Sequence, residues 1–487
     1  MRSLGILIKN TSALMFAEYF GMGMNFILTI FLARYFGAEG FGIFITAMTF
    51  FFFGSIVTDF GIETVFVRNV SRNKSDLPLY YVNGLFLTVL TALISWIGIA
   101  IVVTFLGYNL YLKTVILIAS STLFFSAFTT ISTATIKALE RMELISIVTV
   151  ISGIVYSIIA IFMVVLGYGI VEIILWGIIV EILKGIALFL FVKKIRNTAF
   201  SWKIRLMFCF NIVKQSAPLG ILRSLNVITN KVDILMLSAM IGNASVGFYA
   251  VAVKIVNFLI VPVTSFNNAF LPHFSAKLST SKDDISRIFN EIVRVLIILS
   301  LPIAILISTI AENIIGIFFG QSFVDNGSPV VLQILIWSFF FDVISGPSGV
   351  SIISIEYRLI KFASYFSGLA LLNVVLNIFL IPSLGIIGAS ISTLICSFAR
   401  FLILILLVYR LMGTEMKIFT FFIKPAICAA LFYLIILALK DQNIVLGITS
   451  GIVVYFIGLF MLKALTTEDI TLIRKLLVTG AGKFLKL

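Results

Sequence analysis

Long apolar segments follow one another along nearly the whole chain, and this pattern constrains the fold more than any other feature of the sequence. A run of about twenty apolar residues is long enough to cross the hydrocarbon core of a bilayer as an α-helix. The sequence therefore predicts an all-α polytopic membrane protein. About fourteen spans are predicted, at residues 11–36, 41–66, 83–106, 113–137, 145–166, 170–192, 213–241, 245–272, 288–310, 329–353, 358–381, 385–409, 418–439 and 444–463.

The composition agrees with a surface that faces lipid rather than water. Of the 487 residues, 61% are hydrophobic and 11% are charged, whereas soluble domains carry about 25% charged residues. The net charge of +14 comes from short clusters of Lys and Arg between the apolar runs, which indicates membrane topology rather than nucleic-acid binding. The three cysteines and the single histidine, His273, are far apart. We therefore expect neither an enzyme nor a bound metal or cofactor.

Basic residues mark every second connection between the predicted spans. Arg68, Arg72 and Lys74, for example, follow the second span, whereas the intervening connections are short and nearly free of Lys and Arg. The loop predicted at residues 311–328 contains no basic residue. Because Lys and Arg concentrate in cytoplasmic loops, the basic connections are predicted to be cytoplasmic. An even number of spans then places both termini in the cytoplasm.

The longest basic connection, residues 193–214, separates the two halves of the chain. Basic and aromatic residues interleave in its second part, where Trp202 and Lys203 are neighbours. One interpretation is an amphipathic segment that lies on the cytoplasmic membrane surface. The other is an ordinary cytoplasmic loop.

The two halves resemble each other. The segment LARYFGAEGFGIFITA at residues 32–47 aligns with LSAMIGNASVGFYAVA at residues 237–252 at a shift of 205, and a second stretch aligns at a shift of 216. Six spans in each repeat give both copies the same orientation, as in transporters with parallel repeats. Pairs under these shifts include Gly37 with Gly242, Gly42 with Gly247, Gly169 with Gly385 and Lys184 with Arg400.

The repeat predicts a domain organisation of two six-helix lobes and an appended helix pair. The N-terminal lobe is residues 1–192, the interfacial linker 193–214, the C-terminal lobe 215–410, and the two extra helices with a cytoplasmic tail 411–487. The paired glycines lie where two spans meet at the outer face. They either permit a tight turn or form a close-packed gate.

Polar side chains inside the predicted spans define a candidate site, because each is costly in lipid unless it faces a cavity or a partner. They concentrate on spans 1, 2, 7 and 8, which the repeat relates, so we expect a water-filled cavity between the halves. Cations there suit an anionic ligand such as a phosphate or diphosphate, and amides suit sugar hydroxyls. The candidate residues are Arg223, Asn226, Asn230, Lys231, Asp233, Lys254, Asn257, Glu18, Asn25 and Asp59.

An alternative interpretation assigns some of these charges a structural role. Lys231 with Asp233, or Arg223 with Glu18, would then form ion pairs between helices, as intramembrane charges often do. The sequence leaves this alternative open.

Four motifs carry a resemblance to a known family: ARYFGAEGFGIF with TDFG at residues 33–61, VDILMLSAMIG at 232–242, VGFYAVAVK at 246–254 and LGIIGASIST at 384–393. In order and spacing they resemble the polysaccharide-biosynthesis flippases, which export lipid-linked O-antigen and similar units. Those proteins belong to the multidrug/oligosaccharidyl-lipid/polysaccharide exporter superfamily. The resemblance implies two six-helix lobes around a central, often cationic, cavity.

The resemblance also implies a function in the cell membrane. A polyprenyl-linked oligosaccharide would move from the cytoplasmic to the outer leaflet for cell-surface polysaccharide assembly, by alternating access of the two lobes. The implied partners are membrane lipids, glycosyltransferases, a polysaccharide polymerase and a coupling proton or cation, and the chain is expected to act as a monomer. Candidates for binding that proton or cation are Asp59, Asp233, Asp342 and Glu18.

Other functions compete with this one. Related lipid II flippases carry several arginines in the first two spans, whereas this chain has Glu18 and Asp59 there, which argues against a peptidoglycan precursor. An ion-coupled multidrug or toxin exporter of the same superfamily is the runner-up, although the last two spans count against it. A membrane scaffold or a lipid-processing enzyme has no catalytic pattern in its favour.

The charge pattern makes a direct prediction about topology. A reporter that fluoresces only in the cytoplasm should be bright when fused after Leu487 and dark when inserted in the connection 107–112, because only the basic side of each span stays inside. Whole-cell fluorescence measures both. A dark C-terminal fusion together with a bright insertion would reverse the predicted orientation.

Overall fold

The computed structural model describes residues 2–195, 203–277, 282–355, 359–412, 418–439 and 443–464. Within these ranges it describes the backbone alone for residues 2–19, 222, 226, 230, 261–277, 282–288, 349–355, 359–364, 411–412 and 418–420.

The described residues fold almost entirely into α-helices, which confirms the predicted fold class. A bilayer offers no partner to free backbone groups, and a helix satisfies them within one segment. The helices are α1 (Arg2–Asp59), α2 (Ile62–Arg72), α3 (Leu77–Phe105), α4 (Leu110–Ala138), α5 (Met142–Val165), α6 (Ile170–Ile195), α7 (Leu206–Met240), α8 (Asn243–Lys277), α9 (Lys282–Thr309), α10 (Ala311–Phe319), α11 (Gln321–Asp325), α12 (Ser328–Ile355), α13 (Leu359–Met412), α14 (Ile418–Leu439) and α15 (Ile444–Met461). A single 3₁₀ turn, Lys74–Asp76, precedes α3.

Eleven helical segments among the described residues are long and apolar enough to cross a membrane. Two of them correspond to a pair of predicted spans each, because α1 and α13 continue through the bends at Gly37 and Gly385, where the backbone is not helical. Helix α7 covers the predicted seventh span but is not among the eleven. A multi-pass protein is confirmed, and the number fourteen stays a prediction.

Two connections differ from the sequence-based expectation. The second span ends at Asp59, and a turn with positive φ at Phe60 and Gly61 leads into the separate helix α2. Residues 311–328 were predicted to be a loop, which is wrong, because they form α10 and α11. These helices are too short to resemble spans, and Gly320 and Gly327, both with positive φ, separate them from each other and from α12.

Helix α7 begins at Leu206, several residues before the predicted start of the seventh span. The fully buried Asn83 of α3 accepts hydrogen bonds at Oδ1 from the backbone N–H of Arg205, at 2.7 Å, and from the Cys209 thiol, at 3.4 Å. Cys209 and Ile212 are buried in a cluster with residues of α2, α3, α4 and α6. The end of the predicted linker is therefore helical and anchored, while residues 196–202 lie outside the described part.

The chain divides into two compact units. The first contains Met1–Phe258, Ile315–Ser328 and Arg358–Ser392, and the second contains Leu259–Ile314, Pro329–Tyr357 and Thr393–Leu487. The predicted lobe boundaries stay a prediction.

Within the second unit, α14 packs against α9 and α15. The buried Tyr455 hydroxyl on α15 donates to the Ile298 carbonyl of α9 at 2.9 Å. The helices α9, α12 and α14 line a largely apolar groove of about 400 Å³, whose walls include Leu301, Trp337 and Phe422. The appended helices are therefore part of the second unit.

The cap at the start of α7 leads to a stability prediction. Asn83→Ala should lower the free energy of unfolding by about 1–2 kcal/mol, because it removes a helix cap and leaves the Arg205 N–H without its acceptor. Thermal unfolding of the purified protein in detergent measures the change. Ser75→Ala, at an exposed position before α3, is the control, and equal melting temperatures for the two variants would contradict the role of Asn83.

Candidate functional site

An ion pair joins two of the predicted site residues. A carboxylate oxygen of Asp59, at the end of α1, accepts a hydrogen bond from the Arg223 guanidinium on α7. The other oxygen accepts from the backbone N–H of Glu63 at 2.9 Å and so caps the first turn of α2. Arg223 therefore pairs with Asp59. The Arg223–Glu18 pair of the alternative interpretation stays a prediction, because the Glu18 side chain lies outside the described part.

A second contact joins α1 and α8. The Lys254 ammonium donates to the side-chain carbonyl of Asn25 at 3.0 Å. Next to this pair, the rings of Phe26 and Phe258 are stacked with their centroids 5.2 Å apart. The partner of Lys254 in this contact is a neutral amide, so the contact satisfies one N–H but does not neutralise the charge.

Lys231 and Asp233 make contacts other than the ion pair considered from the sequence. The Lys231 ammonium lies over the Phe52 ring, 5.8 Å from its centroid, in the geometry of a cation–π interaction. The buried Asp233 carboxylate accepts hydrogen bonds from the Tyr249 hydroxyl and from the backbone N–H of Ile234, the latter at 3.0 Å. Lys231 therefore points to a ring on α1, while Asp233 is held within α7 and α8.

The structure thus brings Asn25, Asp59, Arg223 and Lys254 into contacts between α1, α7 and α8. Asn257 is exposed on α8, three residues after Lys254. The predicted residues Asn226 and Asn230 are in α7, but their side chains lie outside the described part.

Repeat-related glycines hold two helices together at the Gly37 end of the site. A Cβ atom on Gly42 would lie 1.7 Å from the backbone oxygen of Asn243, and one on Gly247 would lie 2.1 Å from that of Ala38. At the shift of 205, Gly42 corresponds to Gly247 and Ala38 corresponds to Asn243, so the two contacts are equivalent in the two repeats. The contact is therefore reciprocal, as a two-fold relation between two parallel repeats requires. We call these four residues the glycine clasp.

The backbone at the clasp also needs glycine at the preceding turns. Gly37 and Gly242, paired by the same shift, both have positive φ, at 64° and 127°. The two interpretations of the glycines are thus compatible: Gly37 and Gly242 permit the turn, and Gly42 and Gly247 permit the close approach.

At the Asp59 end, the turn at Phe60 and Gly61, which follows α1, makes a different contact with α7. A Cβ on Gly61 would lie 2.9 Å from the Ser216 carbonyl oxygen, and one on Gly220 would lie 2.6 Å from the Phe60 ring. This contact is mainly backbone against an aromatic side chain, and the Arg223–Asp59 ion pair lies beside it. The second half of α1 is thus held at both of its ends, by α8 at one end and by α7 at the other.

Several other charged residues of the spans are in ion pairs with opposite charges. Lys137 and Glu63 are 2.6 Å apart, and Arg400 and Asp342 are also 2.6 Å apart. These pairs resemble structural bridges between helices. Lys254, held by an amide, differs from them.

Sequence reasoning missed the aromatic partners of the site. Phe26, Phe52 and Phe258 escaped notice because aromatic residues are common in every span, with 48 phenylalanines in the chain. Tyr249 could have been noticed, because the repeat aligns it with Phe44 and only Tyr249 has a hydroxyl. A hydroxyl at that position in one repeat indicates a polar partner nearby. The remaining contacts depend on distances that the sequence does not contain.

Long apolar helices, a reciprocal contact between repeats and polar residues on three neighbouring helices define a multi-pass membrane protein with the fold of a secondary transporter. A family profile described as "Polysaccharide biosynthesis protein" matches residues 7–278, more than half of the chain. The chain therefore belongs to the polysaccharide biosynthesis protein family. A second profile, described as "MatE", matches residues 218–379. No curated protein sequence matches the chain at a significant level.

Solved structures show the same fold. The lipid II flippase MurJ in an inward closed conformation has a TM-score of 0.73 at 19% identity, covering 91% of this chain and 97% of that one. A multidrug resistance MATE family transporter in an inward-facing conformation has 0.58 at 13% identity, covering 80% and 95%. A MATE transporter of Vibrio cholerae has 0.56 at 15% identity, covering 86% and 100%. At these identities the similarity establishes the fold.

The clasp predicts a coupled response to substitution. Gly42→Ala and Gly247→Ala should each lower the free energy of unfolding by about 1–3 kcal/mol, because each forces α1 and α8 apart. The double variant should lose less than the sum of the two, since the first methyl group already makes room for the second. Thermal unfolding of the purified protein measures all three.

Gly98→Ala is the control for the clasp variants, because a Cβ on Gly98 has no atom within 4 Å. This variant should unfold like the parent protein. Fully additive losses in the double variant would contradict the reciprocal contact.

Proposed function

We propose that the chain is a flippase that moves a polyprenyl-linked oligosaccharide from the cytoplasmic to the outer leaflet for cell-surface polysaccharide assembly. Membership in the polysaccharide biosynthesis protein family supports the glycan pathway, and the fold shared with a lipid II flippase supports transbilayer movement of a lipid-linked cargo. The observation that carries the proposal is the Lys254–Asn25 contact. It presents a cation and an amide beside an aromatic pair, inside a membrane helix bundle.

The charges of the site favour an anionic cargo. Asp59 neutralises Arg223, and Tyr249 shields the buried Asp233, so the net attraction comes from Lys254 and Lys231. A lipid diphosphate needs such cations once it leaves water. Phe52, which is exposed, and Phe258 offer faces on which sugar rings can stack.

The Arg223–Asp59 pair has a separate role in this proposal. It lies beside the Gly61 contact, so opening of the Asp59 end would separate the two charges. An arriving diphosphate can take the place of Asp59 on the Arg223 guanidinium, since both are oxyanions that accept from its planar fork. Substrate binding and opening at that end would then be coupled.

Orientation follows from the basic connections. With these in the cytoplasm and both termini there, the Asp59 end faces the cytoplasm and the glycine clasp faces outwards. The clasp then acts as the outer gate.

A multidrug exporter is the second candidate, favoured by the MatE match over residues 218–379. A cationic drug would need an accessible carboxylate, whereas Asp233 is buried and Asp59 is paired. The multidrug exporter is therefore the alternative that the transport experiment below distinguishes from the flippase. Coupling to a proton or cation, monomeric action and cooperation with glycosyltransferases and a polymerase remain predictions from the resemblance.

The proposal predicts a loss of transport when the Lys254 charge is removed. Lys254→Gln should lower the rate of translocation about tenfold or more, because the cargo loses a cation that its diphosphate needs. Lys254→Arg should keep a substantial part of the rate. Proteoliposomes that contain a fluorescent polyprenyl-diphosphate oligosaccharide and an impermeant quencher measure the rate directly.

Lys113→Gln is the matched control, because Lys113 is exposed at the start of α4 and donates to the Thr104 carbonyl. This variant should transport normally at equal abundance. Normal transport by Lys254→Gln would reject the cationic site. If the parent protein does not move the lipid but exports cationic dyes, the flippase proposal is wrong and the multidrug exporter is the function supported.

A further inference from the structure

We infer that the segment Ile315–Ser328 is a lid over the outer side of the site, latched shut by Arg34. The inference rests on the proposed function for its direction, since "outer" follows from the proposed orientation. The segment contains the end of α10, α11 and the first residue of α12. It belongs to the first compact unit, although most of α9 and α12, which precede and follow it, belong to the second.

The latch is a helix cap supplied by another helix. At the end of α10 the N–H of Gly320 donates to the Ile315 and Gly316 carbonyls, at 3.2 and 3.1 Å. The last carbonyls of a helix have no partner within the helix, and those of Ile317 and Phe318 are bound by Arg34 instead. Arg34 of α1 donates from Nε to the Phe318 carbonyl at 2.9 Å and from Nη2 to the Ile317 carbonyl. A cation at a helix C-terminus also interacts favourably with the helix dipole.

The inner face of the lid is apolar and packs on the layer above the site. Phe26, whose ring stacks on Phe258, also meets the rings of Phe318 and Phe319 edge-on at 5.8 and 6.5 Å. Phe26 is thus both the neighbour of Asn25, which binds Lys254, and the surface on which the lid lies. Movement of the lid would uncover this layer directly.

A further set of contacts ties the lid to α8. The Phe323 ring lies 5.6 Å from the Phe248 ring, edge to face. The Ser328 hydroxyl donates to the Phe248 carbonyl at 2.9 Å. Phe248 follows Gly247 of the clasp, so the lid and the clasp share one turn of α8.

The ends of the segment suit movement. Gly320 and Gly327 have positive φ, at 99° and 84°, so each can absorb a change of backbone direction at little steric cost. The outward face exposes Ile317 and the polar Gln321 and Asn326. Among the described residues, two capping hydrogen bonds, three aromatic contacts and one serine hydroxyl hold the lid, a number small enough to break in each transport cycle.

Covalent closure of the lid tests its movement. Arg34→Cys with Ile317→Cys, in a background where Cys209, Cys396 and Cys428 are replaced by Ser, places two thiols at exposed positions on either side of the latch. Bridging them with a short reducible bismaleimide should lower translocation of the polyprenyl-diphosphate oligosaccharide at least about tenfold, and reduction of the linker should restore it. Equal rates with and without the bridge would overturn the lid.

Gln321→Cys with Asp325→Cys is the matched control. These side chains are hydrogen-bonded at 2.9 Å within α11, so the same linker bridges the lid to itself and leaves it free to move. This pair should transport equally well bridged and reduced. Equal inhibition by both bridges would also reject the lid, because rigidity of α11 alone would then explain the loss.

Hydrogen exchange tests the latch without any substrate. Arg34→Gln should raise amide exchange at residues 317–320 about tenfold, because the carbonyl cap of α10 is lost, while exchange in α15 should not change. Unaltered protection of α10 would overturn the latch. If the parent protein moves no lipid-linked glycan, the proposed function fails, and this exchange experiment still decides whether Arg34 latches the lid.

Discussion

The absence of water inside a bilayer is the constraint from which the other features of this structure follow. Backbone groups satisfy each other within helices, and hydroxyls turn back to their own helix, as Thr88 does to the Gly84 carbonyl at 3.0 Å. Several charged side chains find opposite charges on other helices, as Arg400 does with Asp342. Among the described residues, Lys254 departs from this pattern, because it contacts the neutral Asn25. This departure is one reason why we propose that Lys254 belongs to the functional site.

The repeat explains why the two ends of the site differ. The glycine clasp is reciprocal, because each repeat contributes the same small residue and the same backbone oxygen. In this contact backbone meets backbone, with no side chain between the two helices. At the Asp59 end, an aromatic ring and an ion pair take the place of the second glycine contact. That end contains charges that a ligand can rearrange, which is why we propose that the cargo acts there.

The side chains of Asp59 and Arg34 each form hydrogen bonds with the backbone at the end of another helix. Asp59 caps the start of α2 and pairs with Arg223 of α7, while Arg34 caps the end of α10. Both belong to α1, on either side of its bend at Gly37. A change in the direction of α1 would therefore reach both ends of the site through hydrogen bonds that are already formed.

The sequence by itself determined the class of fold, the repeat and most of the helices that carry the site, because apolar length, glycine spacing and charge placement are local properties of the chain. The partners of the polar side chains were decided only by the tertiary structure. Arg223 pairs with Asp59 in the structure, and nothing in the sequence singled out Asp59 as its partner. Likewise, residues 311–328 contain no long apolar run, so the sequence did not predict that they are helical. Their contacts with Phe26, Arg34 and Phe248 are also visible only in the tertiary structure. Which charges meet depends on the bends and rotations of long helices, and these are set by contacts between residues far apart in the sequence, such as Asp59 with Arg223 and Asn25 with Lys254.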